Sequence, residues 1–134
     1  MIKHLLFLPF TAVLLPSALC AQSADADIER TMLAAPASLS AEATILELRP
    51  DGSTAVLRGG SNDLICWDNE GRPGQMAPLD VQCTTEVNRA RLEQNHAFES
   101  AGGTVAETLA RFERAEAGGI RALSEWGSIY YHVY

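Results

Sequence analysis

Hydrophobic and polar positions alternate most clearly in ATILELRPDGSTAVLR, residues 43–58. Leu46 and Leu48 alternate with charged neighbours, which is the period-two pattern of a strand with one buried face. The Pro-Asp-Gly sequence at 50–52 separates two β-rich runs, and this order is typical of a type I turn followed by a left-handed glycine. The pattern therefore predicts a β-hairpin over 43–58.

Two further segments have the composition of strands. After the turn sequence Gly-Gly-Ser-Asn at 59–62, the run DLICW at 63–67 predicts a third strand. The segment 120–134 also becomes β-like towards its end, Tyr-Tyr-His-Val-Tyr. Because consecutive strands joined by short turns favour a meander, we predict an antiparallel sheet from the hairpin 43–58, strand 63–67 and a C-terminal strand.

Helical spacing marks three other segments. Residues 23–36 predict a short helix, and residues 84–103 predict a longer one that ends at a glycine pair. Thr104 and Glu107 have the spacing of a capping box, which opens a second helix that runs to residue 117. We predict that the helical hairpin 84–117 packs on the sheet, so the expected fold class is α+β.

The N-terminus, MIKHLLFLPFTAVLLPSALCAQS, has a short positive region, an apolar run over Leu5–Leu15, and then Pro16 and small residues. This order is typical of a secretory signal peptide. A transmembrane helix needs about 20 apolar residues. We therefore predict a cleaved signal peptide at 1–21, a single α+β domain at 22–134, and a periplasmic or secreted protein.

Cys20 lies beside the predicted cleavage site. We expect cleavage between Cys20 and Ser23, so that this cysteine leaves with the signal peptide. The alternative is a lipoprotein acylated at Cys20. Ser17 and Leu19 argue against it, because lipoprotein signals carry leucine and a small residue at those two places.

The predicted mature chain is acidic. It contains nine arginines and seventeen acidic residues, which gives a formal charge of −8. This balance argues against nucleic acid and against anionic membrane surfaces as partners, since both select basic patches. No transmembrane segment is predicted in the mature chain.

Two cysteines remain after cleavage, Cys66 and Cys83. An even pair in an exported chain predicts a disulfide, which would enclose the Gly/Pro-rich loop 68–80 and add roughly 3 kcal/mol. The alternatives are a catalytic cysteine or a metal pair completed by His96 or His132. The long spacing and the lack of a C-x-x-C motif disfavour the metal.

Aromatic residues surround one histidine near the C-terminus. His132 shares a strand face with Tyr130 and Tyr134, and these three residues form a candidate pocket. The alternative is aromatic packing around a histidine whose hydrogen bonds are satisfied. We expect His96 to be solvated or half-buried on its helix, and Trp67 to pack on the disulfide beside it.

The other residues that could take part in catalysis are scattered along the sequence. Carboxylates that could pair as general acid and base are Asp63, Asp68, Glu70 and Glu125. The EF-hand order, the phosphate-binding loop, the dinucleotide fingerprint and Gly-x-Ser-x-Gly are all absent from the sequence. We therefore assign no catalytic residue, no metal and no cofactor.

Three segments together resemble a group of small exported bacterial proteins of unknown function: AAPASLSAEATIL (34–46), DGSTAVLRGGSNDLICW (51–67) and PLDVQC (78–83). In that group a Gly-x-Asn stretch leads into a cysteine, a Pro/Gly loop follows, and a second cysteine closes it. The resemblance extends over roughly residues 29–134. It implies export, a Cys66–Cys83 pairing, and relatives that continue past Tyr134, but no activity.

These observations predict an exported protein that is not an enzyme and binds a small ligand or a protein partner. The alternative is a small exported hydrolase that uses His132 or His96 with nearby carboxylates. A third hypothesis is a structural domain that acts with a further C-terminal part, since the chain ends on a strand-like segment. A histidine, a carboxylate and a serine in one cleft would favour the hydrolase.

Overall fold

The computed structural model describes residues 18–134, with side chains from Ala24 onward. The predicted signal peptide, 1–21, therefore lies largely outside the described residues. Among the helices that are described, none combines the length and hydropathy that a membrane crossing requires.

The described residues form four helices and five strands, and the α+β fold class is confirmed. The helices are α1 (Ala18–Thr31), α2 (Ala37–Ser40), α3 (Arg89–Ser100) and α4 (Val105–Ala117), with 3-10 turns at Met32–Ala34 and Glu86–Asn88. The strands are β1 (Thr44–Leu48), β2 (Thr54–Arg58), β3 (Leu64–Asp68), β4 (Val81–Thr85) and β5 (Tyr130–Val133).

The β1–β2 hairpin forms around the predicted turn. The amide of Gly52 donates to the carbonyl oxygen of Arg49 at 3.0 Å, and the amide of Arg49 donates to Ser53 at 2.9 Å. Gly52 has a φ of +85°, a conformation that glycine adopts at little cost. The local sequence signal therefore identified both the strands and the turn correctly.

The five strands form one mixed sheet in the order β2-β1-β3-β4-β5. Three neighbouring pairs are antiparallel, whereas β1 and β3 run parallel. The sheet of the described residues is mostly antiparallel, as predicted, and it departs from that pattern at the parallel β1–β3 pair, because the chain crosses β1 between β2 and β3. Gly60 makes this crossing possible, since a Cβ there would overlap the backbone of 42–44.

Strand β4 is an element that the sequence pattern missed. The pattern assigns Thr84 and Thr85 to a helix, but both belong to β4. This strand lies between β3 and β5 and pairs with both. Cys83 lies opposite Cys66 in the β3–β4 register, with their Cα atoms 4.0 Å apart. The predicted Cys66–Cys83 disulfide is confirmed.

Helices cover both faces of the sheet. On one face, α1 and the 3-10 turn after it contribute Ile28, Met32 and Ala34 to a core with the disulfide and Ile45. On the other face, Leu92 of α3 packs with a cluster of β-strand side chains: Leu46, Leu48, Ile65 and Trp67. Strand β3 is buried on both sides because it lies at the centre of the sheet.

The predicted helical pair is present, and the capping box at Thr104 and Glu107 forms. The residues that α3 and its preceding turn bury are Asn88, Leu92 and His96, spaced four apart along one helical face. Two of these three side chains are polar. This explains why apolar periodicity alone did not identify the buried face.

Candidate functional site

A polar cleft of about 230 Å³ opens at the end of the sheet that carries the carboxyl end of β3. Three structural parts surround it: strands β3–β5, the loop 69–80 and helix α3. The lining residues are Trp67, Asn69, Arg72, Pro73, Gly74, Gln75, Met76, Asp80, Gln82, Leu92, Asn95, Glu99, Tyr130 and His132. Most of them carry side chains that can donate or accept hydrogen bonds.

The floor of the cleft is a row of three residues on neighbouring strands. Trp67 pairs with Gln82 across β3 and β4, and Gln82 pairs with His132 across β4 and β5. Paired residues in a sheet project to the same face. The strand register therefore brings together side chains that are far apart in the sequence.

Asp80 is the centre of the hydrogen-bond network beside this row. Its Oδ1 accepts from Asn69 Nδ2 and from His132 Nε2, both at 2.8 Å, and its Oδ2 accepts from the Met76 amide at 2.7 Å. Asp80 is fully buried. All three partners are donors, so the site is complementary to a carboxylate rather than to a carboxylic acid.

The same contacts decide the charge of Asp80. Burial alone would raise its pKa, but the hydrogen bonds from Met76, Asn69 and His132 together outweigh burial and lower the pKa below its ordinary value. Asp80 is therefore ionised at neutral pH. The contact with His132 Nε2 holds the imidazole ring in one orientation.

A second charged group lines the opposite side of the cleft. Arg72 donates from Nη1 to Asn69 Oδ1 at 2.5 Å and forms an ion pair through Nη2 with Glu99 of α3. Burial lowers the pKa of Arg72, although the charges of Glu99 and Asp80 act in the opposite direction. Arg72 Nε is buried and donates to no atom of the described residues.

Asn69 connects Asp80 with Arg72. Its Oδ1 accepts from Trp67 Nε1 at 3.2 Å as well as from Arg72, while its Nδ2 donates to Asp80. The amide of Asn69 also donates to the Asp80 carbonyl at 2.8 Å, which closes the loop 69–80 at its base. The disulfide crosslinks the strands on either side of this loop and so holds both of its ends.

The structure places two of the three predicted pocket residues in this cleft. Tyr130 and His132 belong to its lining, whereas Tyr134 does not. The ring of Tyr134 packs against that of His132, with centroids 4.7 Å apart. Binding of a ligand by Tyr130 and His132 stays a prediction.

His96 lies away from the cleft and is fully buried, so the expectation of a solvated or half-buried side chain is wrong. Its Nε2 donates to the Arg49 carbonyl at 2.7 Å, and its Nδ1 lies 3.3 Å from Ser100 Oγ. These contacts attach the β1–β2 turn to α3. His96 therefore has a structural role that accounts for both ring nitrogens.

Trp67 does not pack on the disulfide as expected. Neighbouring residues on a strand project to opposite faces, so Trp67 and Cys66 belong to different cores. The indole instead lines the cleft. Strand alternation could have indicated this from the sequence, whereas the roles of Asn69, Arg72 and Asp80 depend on contacts that no local pattern signals.

The structure places none of the four predicted acid/base carboxylates in the cleft. Asp68 and Glu70 lie together, since both contact Arg30 of α1. Within residues 24–134, no three His, Cys, Asp or Glu side chains lie close enough to hold a metal ion. The described lining of the cleft contains no serine, threonine or cysteine.

Comparison with protein-family models, with curated proteins and with solved structures found no match to this chain.

Proposed function

We propose that this protein is an exported, non-enzymatic binding domain whose cleft holds a small, neutral, hydroxyl-rich ligand, such as a monosaccharide or polyol. The observation that carries the proposal is the cleft itself. It brings the Asp80–His132 pair, the Arg72–Glu99 pair and several side-chain amides together at one end of the sheet.

Export is supported by two independent features. The first 21 residues have the order of a secretory signal peptide. The Cys66–Cys83 disulfide is of the kind that persists in oxidising compartments.

A neutral ligand is favoured because the charged groups of the cleft already have partners. His132 contacts Asp80, and Arg72 contacts Glu99. A charged ligand would have to displace one of these partners, which costs energy in a partly buried site. Hydroxyl groups both donate and accept, as do the amides of Gln82 and Asn95.

Arg72 adds a further argument, because one donor of this cleft-lining side chain, Nε, has no protein partner among the described residues. This buried donor has no acceptor among the described residues, and an unmade hydrogen bond of this kind costs about 1–3 kcal/mol. A ligand hydroxyl or carbonyl oxygen would remove that cost. The half-exposed ring of Tyr130 adds an apolar surface at the rim.

The cleft volume limits the ligand to a small molecule. Its 230 Å³ lies below the usual range for drug-sized ligands, roughly 300–1,000 Å³. We therefore expect single sugar units or polyols to bind better than long oligosaccharides.

The test is an NMR titration of the exported protein with glucose, N-acetylglucosamine and glycerol, and in parallel with acetate and a primary amine of similar size. We expect a neutral compound to shift the amide signals of the loop 69–80 and β5. Tyr130→Ala should weaken this binding, whereas Trp126→Ala should not, because Trp126 is an exposed aromatic outside the cleft. Shifts with the charged compounds alone, or with none, would refute the proposal.

The alternative function is a small hydrolase in which His132 acts as base and a water molecule as nucleophile. It is favoured by one observation, the 2.8 Å contact between His132 and Asp80, which resembles the base-and-orienter pair of many hydrolases. The binding hypothesis predicts that a panel of glycoside and ester substrates is not hydrolysed. Hydrolysis that is lost in His132→Gln would establish the alternative instead.

A further inference from the structure

Strand β5 is an edge strand with an unusual surface. Among the described strands it is the last in the sheet order, and its partner there is β4 alone. An edge strand presents unpaired amides and carbonyls, and proteins normally protect such edges with charges, prolines or bulges. The residues from Trp126 to Tyr134, here called the edge segment, contain none of the charged residues Asp, Glu, Lys or Arg and no proline.

The opposite edge of the sheet differs from β5, because it carries a charged residue and its register with the next strand is irregular. Strand β2 ends in Arg58, whose guanidinium donates to the carbonyls of Ser40 and Ala43. The register between β1 and β2 is also broken by an irregularity at Ile45 and Leu46. The β4–β5 register has no such break over its four residue pairs.

The edge segment exposes a large apolar area. Trp126 is 99% exposed, and Ile129, Tyr130, Val133 and Tyr134 are exposed by between 37% and 66%. From the usual areas of such side chains, this amounts to roughly 600 Å² of surface on each copy. Two copies that cover this area completely would bury about 1,200 Å², which is the lower bound for a specific interface.

We infer that this segment is a homodimer interface in which the β5 strands of two copies pair antiparallel. Local electrostatics does not oppose a second copy at this place: the whole chain has a net charge of −7, but the edge segment has no acid that would repel its counterpart. An antiparallel pair is also self-complementary, as a two-fold interface must be. The paired strands would join two five-stranded sheets into one of ten strands.

This arrangement has a consequence for the cleft. The two-fold axis of such a pair is perpendicular to the sheet, so equivalent faces of both copies lie on the same side. Tyr130 and His132 of β5 line the cleft. The two clefts would therefore open side by side on one face of the dimer. The inference does not depend on the proposed ligand, since it rests on the edge and its exposed side chains.

The test is the solution mass of the exported protein, measured by light scattering during size-exclusion chromatography over a dilution series. We expect twice the monomer mass, falling to the monomer mass in Trp126→Lys and in Ile129→Lys. The matched control is Val105→Lys, whose exposure of 79% lies between those of Ile129 and Trp126; this α4 variant should remain dimeric. Because Trp126 is nearly fully exposed, its substitution removes little buried contact within one copy.

Hydrogen exchange then tests the strand pairing itself. The β5 amides that do not bond to β4 should exchange slowly in the wild-type dimer and fast in Trp126→Lys. A monomer mass for the wild type at all concentrations would overturn the inference. So would a dimer that survives both lysine variants, or one in which these β5 amides exchange fast, because the interface would then lie elsewhere.

Discussion

Replacing Asp80 by asparagine tests the network that organises the cleft. The carboxylate accepts three hydrogen bonds, from Asn69, Met76 and His132, and it is fully buried. Asparagine keeps the shape but turns one oxygen into an NH₂ group. One of the three donors then faces another donor, and the remaining bonds lose the contribution of the negative charge.

The loss of stability expected for Asp80→Asn follows from these contacts. A hydrogen bond to a charged group contributes about 1.5–3 kcal/mol, and a buried donor left unpaired costs a further 1–3 kcal/mol. Part of this loss is recovered, because the amide oxygen still accepts. We therefore expect Asp80→Asn to lower the free energy of unfolding by about 3 kcal/mol at neutral pH, which is large beside a typical total of 5–15 kcal/mol.

The assay is urea unfolding followed by circular dichroism, with the disulfide intact. The control is Asp63→Asn, since Asp63 is an exposed carboxylate in the turn before β3. This substitution should change stability by no more than about 0.5 kcal/mol. Equal losses in the two variants would refute the role assigned to Asp80.

The pH dependence gives an independent check. The pKa of Asp80 is lowered in the folded protein, so its carboxylate stabilises the fold at pH values above the unfolded pKa, about 3.9. That contribution is lost as the pH falls through the folded pKa. The stabilities of the wild type and Asp80→Asn should therefore converge on acidification. A difference that stays constant down to strongly acidic pH would contradict this account.

Three further changes test the scaffold by the same unfolding assay. Replacing Cys66 and Cys83 by alanine should cost about 3 kcal/mol, as expected for a loop of this length; an unchanged midpoint would show that the crosslink does not stabilise the loop. His96→Ala should cost roughly 2–3 kcal/mol, because the buried ring and its two hydrogen bonds are lost; a loss under about 0.5 kcal/mol would exclude this role. Gly60→Ala should cost roughly 1–3 kcal/mol through overlap with neighbouring backbone, whereas Gly59→Ala, which meets open space, should not; equal effects would refute the close approach.

The sequence determined the features that depend on neighbouring residues. Strand alternation and the Pro-Asp-Gly turn identified the β1–β2 hairpin, and the Thr104 capping box identified the start of α4. The disulfide was predictable because only Cys66 and Cys83 remain after the expected cleavage. Each of these signals lies within a few residues or depends on a simple count.

The tertiary structure decided the pairing of distant segments. Strand β4 has a weak local pattern, and it is a strand because β3 and β5 pair with it on both sides. The parallel β1–β3 pair depends on the crossing that Gly60 permits. Neither fact follows from periodicity, because pairing order is set by contacts between residues far apart in the chain.

The same reason limits what the sequence could say about the cleft. The sequence could predict that Tyr130 and His132 share one face of their strand, since strand residues two apart project to the same side. Asp80, Asn69 and Arg72 were not, because loop residues acquire their roles from the partners that the fold brings to them. His132 meets Asp80 across 52 residues of chain, and only the β4–β5 register and the closed loop 69–80 create that contact.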